Sequence, residues 1–344
     1  MKQHSPLYFS GKKVDCIFNG SILDALELTN NRKVVFITDH NIKKHHSELF
    51  SNHATYAIPS GEKYKNQTTV DNILDFLCEL ELDKDDFIIG VGGGVVSDIT
   101  GYVSAIYKRG VRFGLLPSSI LGMVDASIGG KNGINYLQVK NMIGTIYHPE
   151  FIVYDFSLLN TLPDAEWING FAEIIKHASI KDSNLFNNLE SLSVNDFKTN
   201  KESLSEFIKR NVLLKTEVVK KDELDKADRK LLNFGHTFGH AIENIHELPH
   251  GSAVSIGMVI ACKLSEMLSG FSSSETKRVK DLLEKYNLPV EFNFDPVKVM
   301  DMIRKDKKRN GENIDFVVLN TIGDARTLPV SLSFITDKLP YLLS

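Results

Sequence analysis

The stretch DDFIIGVGGGVVSDITGYVSAIY (85–107) governs how the first half of the chain reads. An apolar run, FIIGV, leads into Gly92-Gly93-Gly94, and apolar residues at helical spacing follow. That order spells strand, glycine turn, helix. Glycines at such a turn let the backbone bend sharply and approach a phosphate, whose charge the helix N-terminus then favours. The spacing is not GxGxxG, and no Walker lysine and serine follow it. A phosphate or dinucleotide cradle and a plain tight turn therefore both stay open. Asp98 is a candidate polar anchor for a ribose or nicotinamide, or simply an acid in the first turn favoured by the helix dipole.

Working outward, KVVFIT (33–38) and VRFGLLP (111–117) read as buried strands, and VDNILDFLCELEL (70–82) has helical apolar spacing. Strands separated by helices predict a Rossmann-like α/β domain over 1–156, its mostly parallel sheet covered on both faces. Beyond that the periodicity turns helical near 164–180, 201–221, 235–247, 252–269, 273–286 and 296–307, with one strand-like segment, IDFVVLN (314–320). A mainly helical domain over 157–344 is expected, packed closely on the first, with a cleft between them as the default place for a site. Asp39 and Asn41 end the first clear strand, on the sheet edge where open α/β sheets bind ligands. Asp39 could accept from ribose hydroxyls or form an Asx turn. Glu62 and Lys65, just beyond Pro59, could reach the same ligand.

The totals exclude several classes. The 344 residues are 42% hydrophobic and 24% charged, with a formal charge of -4, so neither a nucleic-acid footprint nor a pull toward anionic lipid is expected. Three scattered cysteines, none in a CxxC pair, fit a reducing compartment and argue against a cysteine zinc site. The N-terminal MKQHSPLYFSGKK lacks an apolar run with a cleavage site, and no stretch approaches 18 apolar residues, so a cytoplasmic protein with no transmembrane helix is expected.

Positive groups recur beside glycines: Arg109 in KRGVR, Asp125, Lys131 and Asn132 in VDASIGGKNGIN, Lys140 and Asn141 in VKNMIG. Lysines at such turns suit phosphate or carboxylate, and are also what any solvated loop shows. In LLNFGHTFGHAIENIHELPHG (231–251), Phe234, Phe238, Ile242 and Ile245 mark a packing face, and His236, His240 and Glu243 another. Gly235 and Gly239 each cost roughly 1 kcal/mol inside a helix, which suggests close approach of backbone or ligand. His250, after Pro249 in a loop, could fold back toward His236. NGFAEIIKHA (169–178) puts Glu173 and Lys176 on one helical face. Glutamate plus two histidines is a normal catalytic zinc set. Glu173 with His236 and His250 is one combination; the pair His236 and His240, at zincin spacing, is another, although no HExxH is present. His246 and His177 read as bland. Lys215, Arg229 and Asn233 lie upstream, Arg229 being suited to anchor a carboxylate. Lys307 falls in a charge run, RKDKKRNG, that reads as a solvated helix end.

The motifs GGGVVSD, YKRGVRF, VDASIGGKNGIN, KNMIG, NGFAEIIK, LLNFGHTFGHAIE, LPHG and KDKK, in this order, closely resemble the 3-dehydroquinate synthase family, over about residues 30–325. The resemblance implies a metal- and NAD-dependent cyclase, a homodimer, that turns 3-deoxy-D-arabino-heptulosonate 7-phosphate into 3-dehydroquinate and phosphate. NAD+ would be reduced transiently and regenerated in each turnover. It implies Glu173, His236 and His250 as ligands of Zn2+, or Co2+. Lys131, Asn141, His240 and Lys307 match the substrate-phosphate region, with Arg109 coming from a partner subunit. Lys215, Arg229 and Asn233 match contacts to the carboxylate and hydroxyls, Asp125 an acid paired with metal-site groups, and Lys176 a site lysine. Asp39, Asn41, Glu62, Lys65, Gly93, Gly94, Asp98, Ser118, Ser119, Lys131, Lys140, Thr161 and Leu162 match the NAD contacts. Three departures stand out: Ser252 where the family often has glutamate beside His250, Ser97 for a glycine, and Ser118-Ser119 for two threonines. The rivals are another sugar-phosphate cyclase, an NAD-dependent polyol or glycerol-phosphate dehydrogenase, and a non-enzymatic binding module.

Overall fold

Along Val34–Asp39 successive side chains enter opposite cores, the behaviour of a strand buried on both faces. Val35 and Ile37 pack in one apolar cluster with Val70, Ile73, Ile99 and Val103, while Val34 and Phe36 pack in another with Ala25, Phe50 and Leu158. A slip of one residue would exchange the two sets, so the register is strongly specified. The structure is a computed structural model and describes residues 2–137, 139–223, 228–304, 309–310 and 313–343. Lys307 lies outside the described residues.

Two compact units result, Met1–Glu166 with Lys201–Glu223, and Trp167–Asn200 with Leu224–Ser344. The boundary expected at 156/157 thus differs from the observed division, and the helix near 201–221 packs with the sheet rather than with the helices around it in sequence.

The first unit runs β1 (Gln3–His4), β2 (Leu7–Phe9), β3 (Lys12–Phe18), α1 (Ile22–Glu27), β4 (Val34–Asp39), α2 (His40–His45), β5 (Ala54–Ile58), α3 (Gln67–Glu79), β6 (Phe87–Gly92), α4 (Gly94–Ile106), β7 (Arg112–Pro117), the hairpin β8 (Lys131–Tyr136) and β9 (Val139–Ile146), and β10 (Phe151–Tyr154). An eight-stranded sheet has the order β1-β3-β10-β7-β6-β4-β5, with β2 beside β3. All pairings from β3 through β10, β7, β6 and β4 to β5 are parallel; β1 and β2 pair antiparallel with β3. The chain leaving β4 returns in β5 on one side, and the chain leaving β6 returns in β7 on the other. The C-terminal ends of β4 and β6 therefore flank a topological switch point, the crevice where such sheets bind ligands.

In the second unit α5 (Asp164–Lys181, begun in the first unit), α6 (Ser183–Ser191) and α7 (Val194–Thr199) precede α8 (Lys201–Lys221), which belongs to the first. The second unit continues with α9 (His236–His246), α10 (His250–Ser269), α11 (Ser273–Lys285), α12 (Pro296–Arg304), β11 (Arg309–Asn310), β12 (Asn313–Thr321), β13 (Asp324–Ser331) and α13 (Leu332–Leu342). The single expected strand is one of three in an antiparallel sheet, β11-β12-β13. By length and composition α10 is apolar enough to cross a membrane, which the sequence expectation did not allow for, yet most of it is buried, packed on α9 and β12 as a core helix.

Candidate active site

Two features near the histidines differ from the sequence expectation. Gly235 is not inside the helix but caps it in the left-handed region, φ 77°. His250 is not in a loop but is the first residue of α10. The expense of the glycines is explained by backbone approach. A Cβ on Gly257 of α10 would overlap the Gly235 carbonyl oxygen and lie 2.8 Å from the Gly239 nitrogen, and one on Gly239 would lie 3.1 Å from the Ala253 carbonyl oxygen. Antiparallel α9 and α10 thus touch through bare backbone.

That close crossing brings His236 and His250 toward Glu173 of α5. Both imidazole Nε2 atoms lie 3.3 Å from Glu173 Oε1, while Oε2 takes the Lys176 ammonium. Glu173, Lys176 and His236 are all buried. Asn169, one turn before Glu173, accepts a hydrogen bond from the Gly251 backbone N–H, so α5 also holds the start of α10. Burial alone would push the Glu173 carboxyl up, but the Lys176 ammonium above all, with a hydrogen bond from His250, holds it well below the usual carboxylate range. His236 is pushed down by burial and by Lys176, against the pull of Glu173, and is neutral near pH 7. Its Nδ1 lies 3.0 Å from the Phe234 carbonyl oxygen, which can only accept, so Nδ1 carries the proton.

The Nε2 lone pair of His236 therefore faces a carboxylate oxygen, acceptor against acceptor. A cation between them resolves the conflict. Two ligand atoms each about 2.0–2.1 Å from a tetrahedral zinc lie roughly 3.3–3.4 Å apart. The 3.3 Å separations found here fit that value. Glu173, His236 and His250 form one candidate metal set, with ligand atoms within 4.8 Å of one another. A second set, His240, Glu243 and His250, overlaps it; neither pairs His236 with His240 at the zincin spacing. The His240 ring stands 5.0 Å from that of His236. His246 packs edge-on to Phe292 and His177 is wholly buried.

His250 behaves differently from His236. Burial would lower its pKa, but hydrogen bonds to Glu173 and Glu243 and the charge of both raise it to about 10. Below that value the ring holds both protons, and a metal must displace the one on Nε2. Loading near pH 7 is expected to release about one proton, and affinity should rise with pH by up to about tenfold per unit below 10. Calorimetry in buffers of different ionisation enthalpy measures both. Affinity that stays flat between about pH 6.5 and 8.5, with no proton release, would contradict this charge state.

The first unit gathers a second group of candidates at the switch point. Asp39 caps α2, its Oδ1 accepting from Asn41 N at 2.8 Å and Ile42 N at 3.0 Å, and from Ser60 Oγ at 3.3 Å. Gly92 ends β6, where a Cβ would press 2.5 Å from Val96 Cγ2. At Gly93 and Gly94 a Cβ would meet nothing closer than Ser119 Oγ at 3.4 Å and Ala126 Cβ at 3.5 Å, and neither φ is positive. Internal packing thus demands the first glycine but not the other two, which leave bare backbone at the start of a 13-residue helix. That is the cradle a phosphate needs. Ser97 fits inside α4 by donating to the Gly93 carbonyl oxygen, 3.2 Å away. Ser118 N donates to Gly92 O and Ser119 Oγ accepts from Gly122 N, so the serine pair abuts the glycine turn. Thr161, followed by Leu162, bonds His46 at the end of α2 at 2.8 Å.

Lys65 is buried and ion-paired with Asp98, and donates to Asn141 Oδ1 at 2.5 Å. Burial pushes the Asp98 carboxyl up despite Lys65. Asn135 links this group to Glu62: its Nδ2 donates to Glu62 Oε1 and its Oδ1 accepts from Asn141 N, both at 2.9 Å. Sequence reading missed Asn135, and nothing local marks it. Lys215 of α8 donates to the backbone and carboxylate oxygens of Asp125, both at 2.6 Å. Lys131 starts β8 and Lys140 lies in β9. Arg109 is exposed, with a left-handed φ of 63°. Buried Arg229 and half-buried Asn233 sit on the 3-10 turn Asp228–Asn233 that leads toward α9.

Fold and site together define the class: a sugar-phosphate-cyclase-like protein, with an open α/β sheet and a Glu-His-His set. Solved relatives of that shape cover nearly the whole chain. A 2-deoxy-scyllo-inosose synthase complexed with carbaglucose-6-phosphate, NAD+ and Co2+ matches with a TM-score of 0.86 at 23% identity, covering 98% of this chain and 99% of that one. A 2-epi-5-epi-valiolone synthase from Streptomyces hygroscopicus subsp. jinggangensis, with NAD+ and Zn2+ bound, matches at 0.86 and 26% identity, over 96% of both. The chain belongs to the 3-dehydroquinate synthase family: the models for its N-terminal and C-terminal parts match residues 55–169 and 170–309. The 3-dehydroquinate synthase of a Picosynechococcus species is 35% identical over 93% of this chain and 92% of its own.

Proposed function

We propose that the protein converts 3-deoxy-D-arabino-heptulosonate 7-phosphate into 3-dehydroquinate and inorganic phosphate, the second step of the shikimate pathway. The observation that carries this reading is His236 Nε2 set 3.3 Å from Glu173 Oε1 in a chain of this family. Glu173, His236 and His250 would hold a divalent ion, zinc or cobalt, and the glycine cradle with Asp39 and its neighbours would take NAD+. Bound there, the ion supplies a Lewis acid for hydroxyl oxygens and the dinucleotide a transient hydride store, with no net redox change.

The chain's own groups bind, orient and neutralise. Arg229, buried and always charged, suits a bidentate grip on the substrate carboxylate. Lys215, ion-paired with Asp125, and Asn233 are assigned to the carboxylate and the reacting hydroxyls. Lys131, Asn141, His240 and Lys307, with Arg109 of the partner subunit in a homodimer, are assigned to the phosphate. Lys176 fixes the rotamer of Glu173 so that Oε1 faces the histidines. Asn41, Glu62, Lys65, Asp98, Ser118, Ser119, Lys140, Thr161 and Leu162 are assigned to the dinucleotide. A cytoplasmic location goes with this reading.

The test is to incubate the protein with NAD+ and the seven-carbon substrate, following phosphate and ring product with and without chelator. Stoichiometric phosphate and 3-dehydroquinate, lost on chelation and without NADH build-up, are expected. Phosphate release that survives exhaustive chelation, or NADH formed in proportion to substrate, would overturn the reading. Preference for another sugar phosphate would point to a different cyclase.

A further inference from the structure

We infer that Glu243 positions His250 for the metal. The inference rests on the metal reading of Glu173, His236 and His250. Its basis is a ladder along the antiparallel helices: Gly235 meets Met258 and Gly257, Gly239 meets Ala253 and Val254, and one turn further Glu243 meets His250. Glu243 is buried, and its Oε2 lies 3.3 Å from His250 Nδ1. The opposite ring nitrogen, Nε2, is the one that faces Glu173.

A carboxylate on Nδ1 does three things for a ligand at Nε2. It fixes the tautomer, holds the ring plane, and raises the basicity of the coordinating nitrogen. His236 has only a backbone carbonyl in that place, so the two histidines are unequal by construction. Here α9 provides that acid to α10 across the helix crossing. The two bare glycines allow the helices to come close enough for the glutamate to reach.

The test measures Zn2+ affinity by competition with a chromophoric chelator in the parent, Glu243→Gln, Glu243→Ala and Glu173→Gln proteins. The visible spectrum of Co2+-loaded protein and the unfolding curves of metal-free protein accompany it. Glu243→Ala should weaken zinc by about 10–100-fold and shift the cobalt bands, while Glu243→Gln, which keeps an acceptor but not the charge, should fall between. Glu173→Gln should remove binding. Glu243 variants that fold and bind within about twofold of the parent, with an unchanged cobalt spectrum, overturn the inference but not the metal reading. Loss of binding in Glu243→Gln as complete as in Glu173→Gln also overturns it, because Glu243 would then be a ligand in the overlapping set with His240. A parent that binds no zinc, or a Glu173→Gln protein that binds like the parent, defeats the metal reading itself.

Discussion

Replacing Glu173 by glutamine is expected to abolish metal binding, and with it the proposed cyclisation, and to destabilise the metal-free protein by about 3–5 kcal/mol. The two effects have separate causes. Metal binding is lost because an amide oxygen is a poor substitute for a carboxylate that faces two imidazoles at 3.3 Å. Stability is lost because the Lys176 amine, buried beside Glu173, would be left without its counter-charge. Removing one member of a buried pair costs far more than removing both. The double variant Glu173→Gln/Lys176→Met should therefore regain most of the stability and none of the metal affinity. Denaturant unfolding of metal-free samples and chelator competition read the two separately. An unchanged unfolding midpoint in the single variant would show that the pair is not what holds this part of the second unit. The sign with pH is also set. The Glu173 carboxyl is depressed below its ordinary 4.5, so its contribution is present above that value and disappears as pH falls through the lower, folded-state pKa.

Gly257→Ala is expected to destabilise the protein by about 1–3 kcal/mol or more, against the usual direction for this substitution within a helix. By propensity alone, alanine in mid-helix gains roughly 1 kcal/mol over glycine. Here the new methyl would be driven into the Gly235 carbonyl and to within 2.8 Å of the Gly239 nitrogen, and backbone atoms cannot rotate aside as a side chain can. The helices must separate. Separation would also draw Glu243 and His250 away from each other, so zinc affinity should fall with stability. Gly239→Ala is the graded control: its Cβ would meet the Ala253 carbonyl oxygen at 3.1 Å, a contact that small shifts relieve. Thermal melts of both variants give the comparison, and a stabilised Gly257→Ala protein would refute the packing account.

Much of the fold was legible because its signals are local. FIIGV followed by three glycines and a helical pattern places β6, the turn and α4 within a few residues. Periods of 2.0 and 3.6 are properties of neighbouring residues, readable without knowing what they pack against. The short N-terminal strands, the hairpin and β13 carry weaker signals, since they are stabilised by partners distant in sequence. Helix α8 reads plainly as a helix, but nothing in its sequence says that it packs with the sheet unit. The glycines of α9 announced a close approach without naming the neighbour, which is Gly257 of α10.

The chemistry divides the same way. By itself the sequence determined which residue types were on hand: four histidines in one stretch, a glutamate and a lysine three apart, and a glycine turn after a strand. It left His236 open to two partnerships, with His240 or with His250, because i, i+4 spacing puts two side chains on one helix face but cannot say where their lone pairs aim. Only the tertiary structure decided between them. The Phe234 carbonyl takes Nδ1 of His236 and turns Nε2 toward Glu173 on α5, and the α9–α10 crossing delivers His250 to the same oxygen. Ligand geometry is a relation between helices, set by how closely their backbones can pack. No local pattern carries that distance.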